Sequence, residues 1–155
     1  MVSIEPVKTL LSYAVQRTVP TFITTDCHYL RLWVQNKGNT RAERVQVFAA
    51  ALSKRGADGS FNRVDGFFPM NLRWSYAPPD APEIYADGIS PDMGKHCDLG
   101  NVLHPATRVE LGETRKDVPV EKAALVLALE VTPSTRSNII PPGVYHLVLR
   151  IAAAN

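Results

Sequence analysis

The clearest pattern along the chain is a period of two. In "YLRLWVQN" (29–36), Leu30, Leu32 and Val34 alternate with Tyr29, Arg31, Trp33 and Gln35. "ERVQVFAAAL" (43–52) opens in the same way, with Val45 and Val47 set against Arg44 and Gln46, and then turns uniformly apolar. "ALVLALEV" (124–131) places Leu125, Leu127, Leu129 and Val131 on one side, and "VYHLVLRIA" (144–152) does so with Tyr145, Leu147, Leu149 and Ile151. Successive side chains of a strand point to opposite faces, so each run predicts a strand with one face in a core. Weaker strand candidates are "FITTDCHY" (22–29), "NLRWSY" (71–76), "GKHCDLGNVL" (94–103) and "TRVELG" (107–112). Val7–Gln16 reads equally as a short helix or an edge strand.

Between these runs the chain is punctuated. "NKGN" (36–39) and "KRGADGS" (54–60) supply Gly and Asn for turns, while "YAPPDAP" (76–82) and "NIIPPG" (138–143) are proline-locked loops that exclude helix. The predicted core is Leu30, Leu32, Val34, Val45, Val47, Leu72, Trp74, Leu99, Leu125, Leu127, Leu129, Tyr145, Leu147, Leu149 and Ile151. Seven to nine short antiparallel strands with at most one short helix make an all-β sandwich the expected fold. No internal repeat, low-complexity run or linker divides residues 1–155, so a single domain is expected.

Part of this pattern resembles a known family. In residues 30–52 an alternating strand leads into an Asn-x-Gly turn, then a small residue, then a Val-x-Val strand: Asn36, Gly38, Ala42, Val45 and Val47. This resembles bacterial immunoglobulin-like sandwiches, including CARDB, the cell-adhesion-related domain found in bacteria. "ISPDMGKHCDLGNV" (89–102) is similar to the loop that leads into a mid-sandwich strand there. "IIPPGVYHLVLRIAAAN" (139–155) is similar to a late strand that opens on Pro-Gly-x-Tyr, with Tyr145 at the position of a corner tyrosine. The resemblance covers most of residues 29–155, but the insertion at 55–88 is longer than such domains need and leaves strand order there open. It implies an immunoglobulin-like sandwich that binds, spaces or adheres within a larger protein, without chemistry of its own.

Composition narrows the function further. The 155 residues are 45% apolar and 21% charged, ordinary for one globular domain. Seventeen basic against fifteen acidic residues leave a net charge of +2, which gives no basic footprint for nucleic acid. No run approaches the ~18 apolar residues of a membrane span, so no direct membrane insertion is expected. The N-terminus does not read as a signal peptide. The expected setting is cytoplasmic, or tethered to a membrane through sequence outside these residues.

Candidate chemistry is concentrated in two places. "TDCHY" (25–29) carries Cys27 and His28, and "KHCDLGNVLHP" (95–105) carries His96, Cys97 and His104. As a metal site these five would have to converge, yet adjacent strand residues point to opposite faces and none of the spacings is a zinc pattern. An inter-sheet disulfide between Cys27 and Cys97, with Trp74 as the core tryptophan, is what the antibody-domain template suggests. Parity argues against it, since Cys97 shares the inward phase of Leu99 while Cys27 opposes that of Leu30 and Leu32. No nucleophile elbow or phosphate loop occurs. The expectation is a non-enzymatic interaction or accessory module without a cofactor, whose partner is a protein or a neighbouring domain. A metal- or thiol-dependent enzyme built on the two clusters is the alternative, and a ligand-binding sensor domain the second. For partner binding, "FNRVDGFFPMNLRWSY" (61–76) offers Phe67, Phe68 and Met70 as loop anchors, and Trp33 as an aromatic on the outward face of a strand.

Overall fold

Where alternation is strong the chain is strand, except that the 124–131 run is strand only to Leu127, with Leu129 in an isolated bridge to Leu72. The computed structural model describes residues 2–15, 21–77 and 86–154. Along them run β1 (Val2–Val15), β2 (Thr21–Gln35), β3 (Ala42–Arg55), β4 (Phe61–Arg63), β5 (Met70–Asn71), β6 (Arg73–Trp74), β7 (Ala86–Ile89) and β8 (Gly94–Leu103). A short helix α1 (Pro105–Glu110) follows, then β9 (Ala124–Leu127), β10 (Ile139–Ile140) and β11 (Tyr145–Ala154). The protein is all-β. Among the described residues the eleven strand segments exceed the expected seven to nine because β4, β5, β6 and β10 are only two or three residues long.

The segments form two antiparallel sheets. One runs β1-β2-β8-β9-β10, with β6 also on β8; the other runs β11-β3-β4, with β5 and β7 also on β3. The two sheets bury a shared core: Leu32, Val34, Cys97, Leu99 and Leu127 from the first meet Val45, Val47, Ala49 and Leu52 from the second. Most of the predicted core lies here, with Leu30, Leu125, Leu129, Tyr145, Leu147 and Leu149 packed at its margin. Ile151 does not belong to it. It is 40% exposed, because the last residues of β11 border an open groove with Ala153 rather than the closed core.

A third layer was not expected. Cys27, Leu103, Val118, Ala124, Val126 and Ile139 form a second buried cluster. On β2, β9 and β10 these residues alternate with members of the first cluster, so they occupy the other face of the same sheet. That face is covered by α1 and the loop after it. The outward phase expected for Cys27 is therefore correct, but its surroundings are apolar and closed.

Two segments differ from the sequence reading. Thr107–Gly112 was expected as strand, yet Pro105–Glu110 is helical. Pro105 sits in the first turn, where a missing N–H costs nothing and its fixed φ suits the helix. The alternation from Thr107 to Leu111 was too short to outweigh that. Residues 7–15 are strand, not helix: β1 pairs with β2 from Val2↔Val34 to Val15↔Thr21. Gln16 and the 78–82 part of the proline loop lie outside the described residues.

Candidate functional site

The outer face of the β2–β8 pair carries a group of interacting polar and aromatic side chains. The phase that sends Leu32 and Val34 inward sends Tyr29, Arg31 and Trp33 outward. Antiparallel pairing then sets His96 opposite Trp33 and Asp98 opposite Arg31. The Trp33 and His96 rings lie 4.7 Å apart and tilted by 59°. Trp33 lies directly over Gly94, where a Cβ would come within 2.5 Å of the indole. Glycine there is what allows the ring to lie flat on the strand.

Arg31 is held between two rings. Its guanidinium carbon stands 5.1 Å from the centre of Tyr29 and 5.5 Å from that of Tyr76, and Nη1 donates to the Tyr76 hydroxyl at 3.3 Å. Such stacking fixes a long side chain while leaving its charge accessible. Ser75 donates a hydrogen bond to Asp98, tying the turn after β6 to β8. Burial, with the Asp98 carboxylate adding to it, pushes the Tyr29 hydroxyl up to about 12, so it stays protonated at neutral pH. Tyr76 remains 84% exposed at the edge of this strip.

The His and Cys clusters do not converge. Cys97 lies in the core between the sheets, Cys27 in the outer cluster, and His96 against Trp33. His28 is exposed and His104 caps the exposed start of α1. The step from Cys27 to Trp33, the partner of His96, is about 20 Å along β2. Among the described residues no three His, Cys, Asp or Glu side chains gather as a metal site. The two cysteines are not bridged.

Neither thiol is placed for catalysis. Cys97 is fully buried, donates to the Arg73 carbonyl at 3.3 Å, and has its pKa driven far up by burial, with Asp98 and Glu130 adding to the shift. Cys27 is 2% exposed, with Sγ 4.0 Å from the Asn101 side-chain oxygen. A reactive cysteine needs the opposite setting, accessible and electropositive. Titration of the native protein with a coloured disulfide reagent should therefore show no fast-reacting thiol, and two after denaturation. One thiol reacting within seconds in the native state would contradict the burial of both.

The loop anchors separate as well. Phe67 is 4% exposed and belongs to the core, so it is not a projecting anchor; the Val64–Phe67 turn folds it inward. Phe68 is 66% exposed, and Met70 is half-buried, accepting from the Ser137 hydroxyl at 3.7 Å. Trp33 is half-buried on the outer strip, as its phase predicts. Tyr29, Arg31, Tyr76 and His96 were not expected to act with it, although the odd-numbered phase of 29–35 already grouped the first two with Trp33.

At the opposite end of the sandwich a cavity of about 310 Å³ opens between the end of β3, the 64–67 turn, the 115–117 loop and the start of β11. Tyr145 lines it. Its hydroxyl is buried with no hydrogen-bond partner among the described residues, so it makes no corner hydrogen bond. Comparison with protein-family models, curated proteins and solved structures found no match to this chain.

Proposed function

We propose that the chain is a non-enzymatic binding module, an immunoglobulin-like sandwich serving a larger bacterial protein, and that it binds a protein partner or neighbouring domain through the outer strip of β2 and β8. The resemblance of residues 29–155 to bacterial immunoglobulin-like domains supports the general role. The observation that carries the site is the Tyr29–Arg31–Tyr76 stack beside the Trp33–His96 pair. Tyr, Trp and Arg are the residues that dominate binding energy at interfaces. Here they are ordered before any partner arrives, so less side-chain entropy is lost on association. The scattered His and Cys residues argue against the enzyme reading, because none of their pairings assembles a nucleophile with a base.

Quantitative binding to a partner captured from the source cells provides the test. Tyr76→Ala, which removes an exposed ring and costs the fold little, should weaken binding roughly thirtyfold, the loss expected of a hot-spot residue. Phe68→Ala, outside the strip, should bind as the parent does. Equal affinity for the parent and Tyr76→Ala, or a loss confined to Phe68→Ala, would move the interface elsewhere.

A further inference from the structure

We propose that the cavity between the end of β3 and the start of β11 binds a small organic carboxylate with an apolar body. At about 310 Å³ it matches the lower range of small-ligand sites. Its lining joins apolar Leu52, Val64, Phe67 and Ile140 to the polar groups of Lys54, Arg115 and Tyr145. Such a mixed lining suits an amphipathic ligand.

The polar groups select the head group. The Tyr145 hydroxyl is a buried donor with no partner among the described residues, a costly arrangement unless something else accepts its hydrogen. Burial raises its pKa against a small opposing pull from Arg115, so it keeps its proton at neutral pH. Gly143 lies against the same ring, where a Cβ would stand 2.8 Å from it, so the Pro-Pro-Gly turn holds Tyr145 in place. Lys54 Nζ is 6.0 Å from the centre of the Tyr145 ring and makes no ion pair among the described residues. Arg115, the other cation of the lining, is already held by both oxygens of Asp117 at 2.6 and 2.9 Å. The Ser137 hydroxyl is likewise engaged with Met70. A donor and an unmatched cation this close to each other call for one anionic acceptor. Asp65, also on the lining, opposes a second negative charge, which points to a monocarboxylate.

The site lies apart from the outer strip, so its failure would leave the interface reading untouched. The full chain is titrated with butanoate, hexanoate, octanoate and phenylacetate, with hexanamide as the uncharged control, and binding is followed by amide chemical shifts and by melting temperature. At least one carboxylate should bind saturably with shifts centred on residues 52–54, 64–67 and 140–145, and hexanamide should not. Tyr145→Phe and Lys54→Met should each weaken that binding roughly tenfold, the loss of a charge-assisted hydrogen bond. Tyr145→Phe should melt no lower than the parent, because its hydroxyl has no internal partner to lose. Absence of saturable shifts, equal binding of hexanamide, or unchanged binding in both variants would overturn the proposal. So would a lower melting point for Tyr145→Phe, which would mean that the hydroxyl is satisfied within the protein.

Discussion

Arg108→Ala should lower folding stability by about 3–5 kcal/mol, from the buried hydrogen bonds to carbonyls it removes and the cavity it leaves. Arg108 is fully buried, a rare position for arginine. Its Nη1 donates to the Pro119 carbonyl at 2.9 Å and the Lys122 carbonyl at 2.5 Å, and its Nε to the Glu113 carbonyl at 3.4 Å. The loop from 111 to 123 has no helix or strand of its own, so these carbonyls have no ladder to join. One guanidinium gathers them, and the loop thereby seats Val118 in the outer cluster above Cys27 and Leu103. Alanine would leave the Glu113 and Lys122 carbonyls without donors, each costing ~1–3 kcal/mol, while the Pro119 carbonyl keeps the Lys122 N–H, and would open a cavity as well. Arg108→Met, which keeps the volume and loses the donors, should recover only part of the loss. Chemical denaturation of both variants measures the effect. A second readout locates it: in Arg108→Ala the Cys27 thiol should become reactive while Cys97, between the sheets, stays protected. A stability loss below about 1 kcal/mol would mean that Val118 packing alone holds the loop. Equal exposure of both thiols would mean that the whole sandwich loosens, not one layer.

Arg108 also marks where the sequence stopped being informative. Strand phase was legible, because Leu32, Val34, Val45 and Val47 face the core as their alternation demands. The same phase put Tyr29, Arg31 and Trp33 outside, although only Trp33 was singled out as a binding residue. Tyr76 joined the outer strip only through a turn after β6, and His96 only through the register of β8 on β2. Parity tells which face a residue takes and says nothing of what covers that face. Parity gave Cys27 only its outward phase and gave nothing for Arg108; both are buried, since the layer above the sheet comes from a loop without periodicity. Phe67 and Phe68 were indistinguishable in the sequence, adjacent and chemically identical, and the fold sends one inward and one out. The cavity could not have been foreseen at all. Lys54, Phe67, Arg115 and Tyr145 belong to four separate segments that meet only in the folded chain.

Gly100→Ala tests the joint between the two clusters and should cost about 3 kcal/mol, the upper range for forced overpacking and strain. Gly100 opposes Leu30 on one side and Leu127 on the other. Register with β2 slips at this point: Leu30 faces Gly100, yet Arg31 faces Asp98, so Leu99 is an extra residue. This bulge reverses the phase of β8. Cys97 and Leu99 before it enter the core between the sheets, and Leu103 after it enters the outer cluster. One strand thus serves two layers. A Cβ on Gly100 would run into the Val126 carbonyl oxygen and lie 2.9 Å from the Leu127 Cα. These are backbone atoms of a paired strand, so no side chain can swing aside. The backbone at Gly100, with φ of 155°, is also one that side chains rarely adopt. Relief would require either parting β8 from β9 or removing the bulge, and removal would turn Leu103 out of its cluster and Asn101 toward the core. Gly66→Ala separates steric from conformational cost. Gly66 has φ of 74° but open space around its Cα, so its substitution should lose only about 1–2 kcal/mol of left-handed strain. Denaturation midpoints of the two variants, with amide exchange at Leu127 and Ala128, decide the matter. The Ala128 amide, bonded to the Leu99 carbonyl at 3.1 Å, should lose protection in Gly100→Ala and keep it in Gly66→Ala. Equal losses in both would mean that the backbone angle alone requires glycine at 100, and that the close approach of β9 does not.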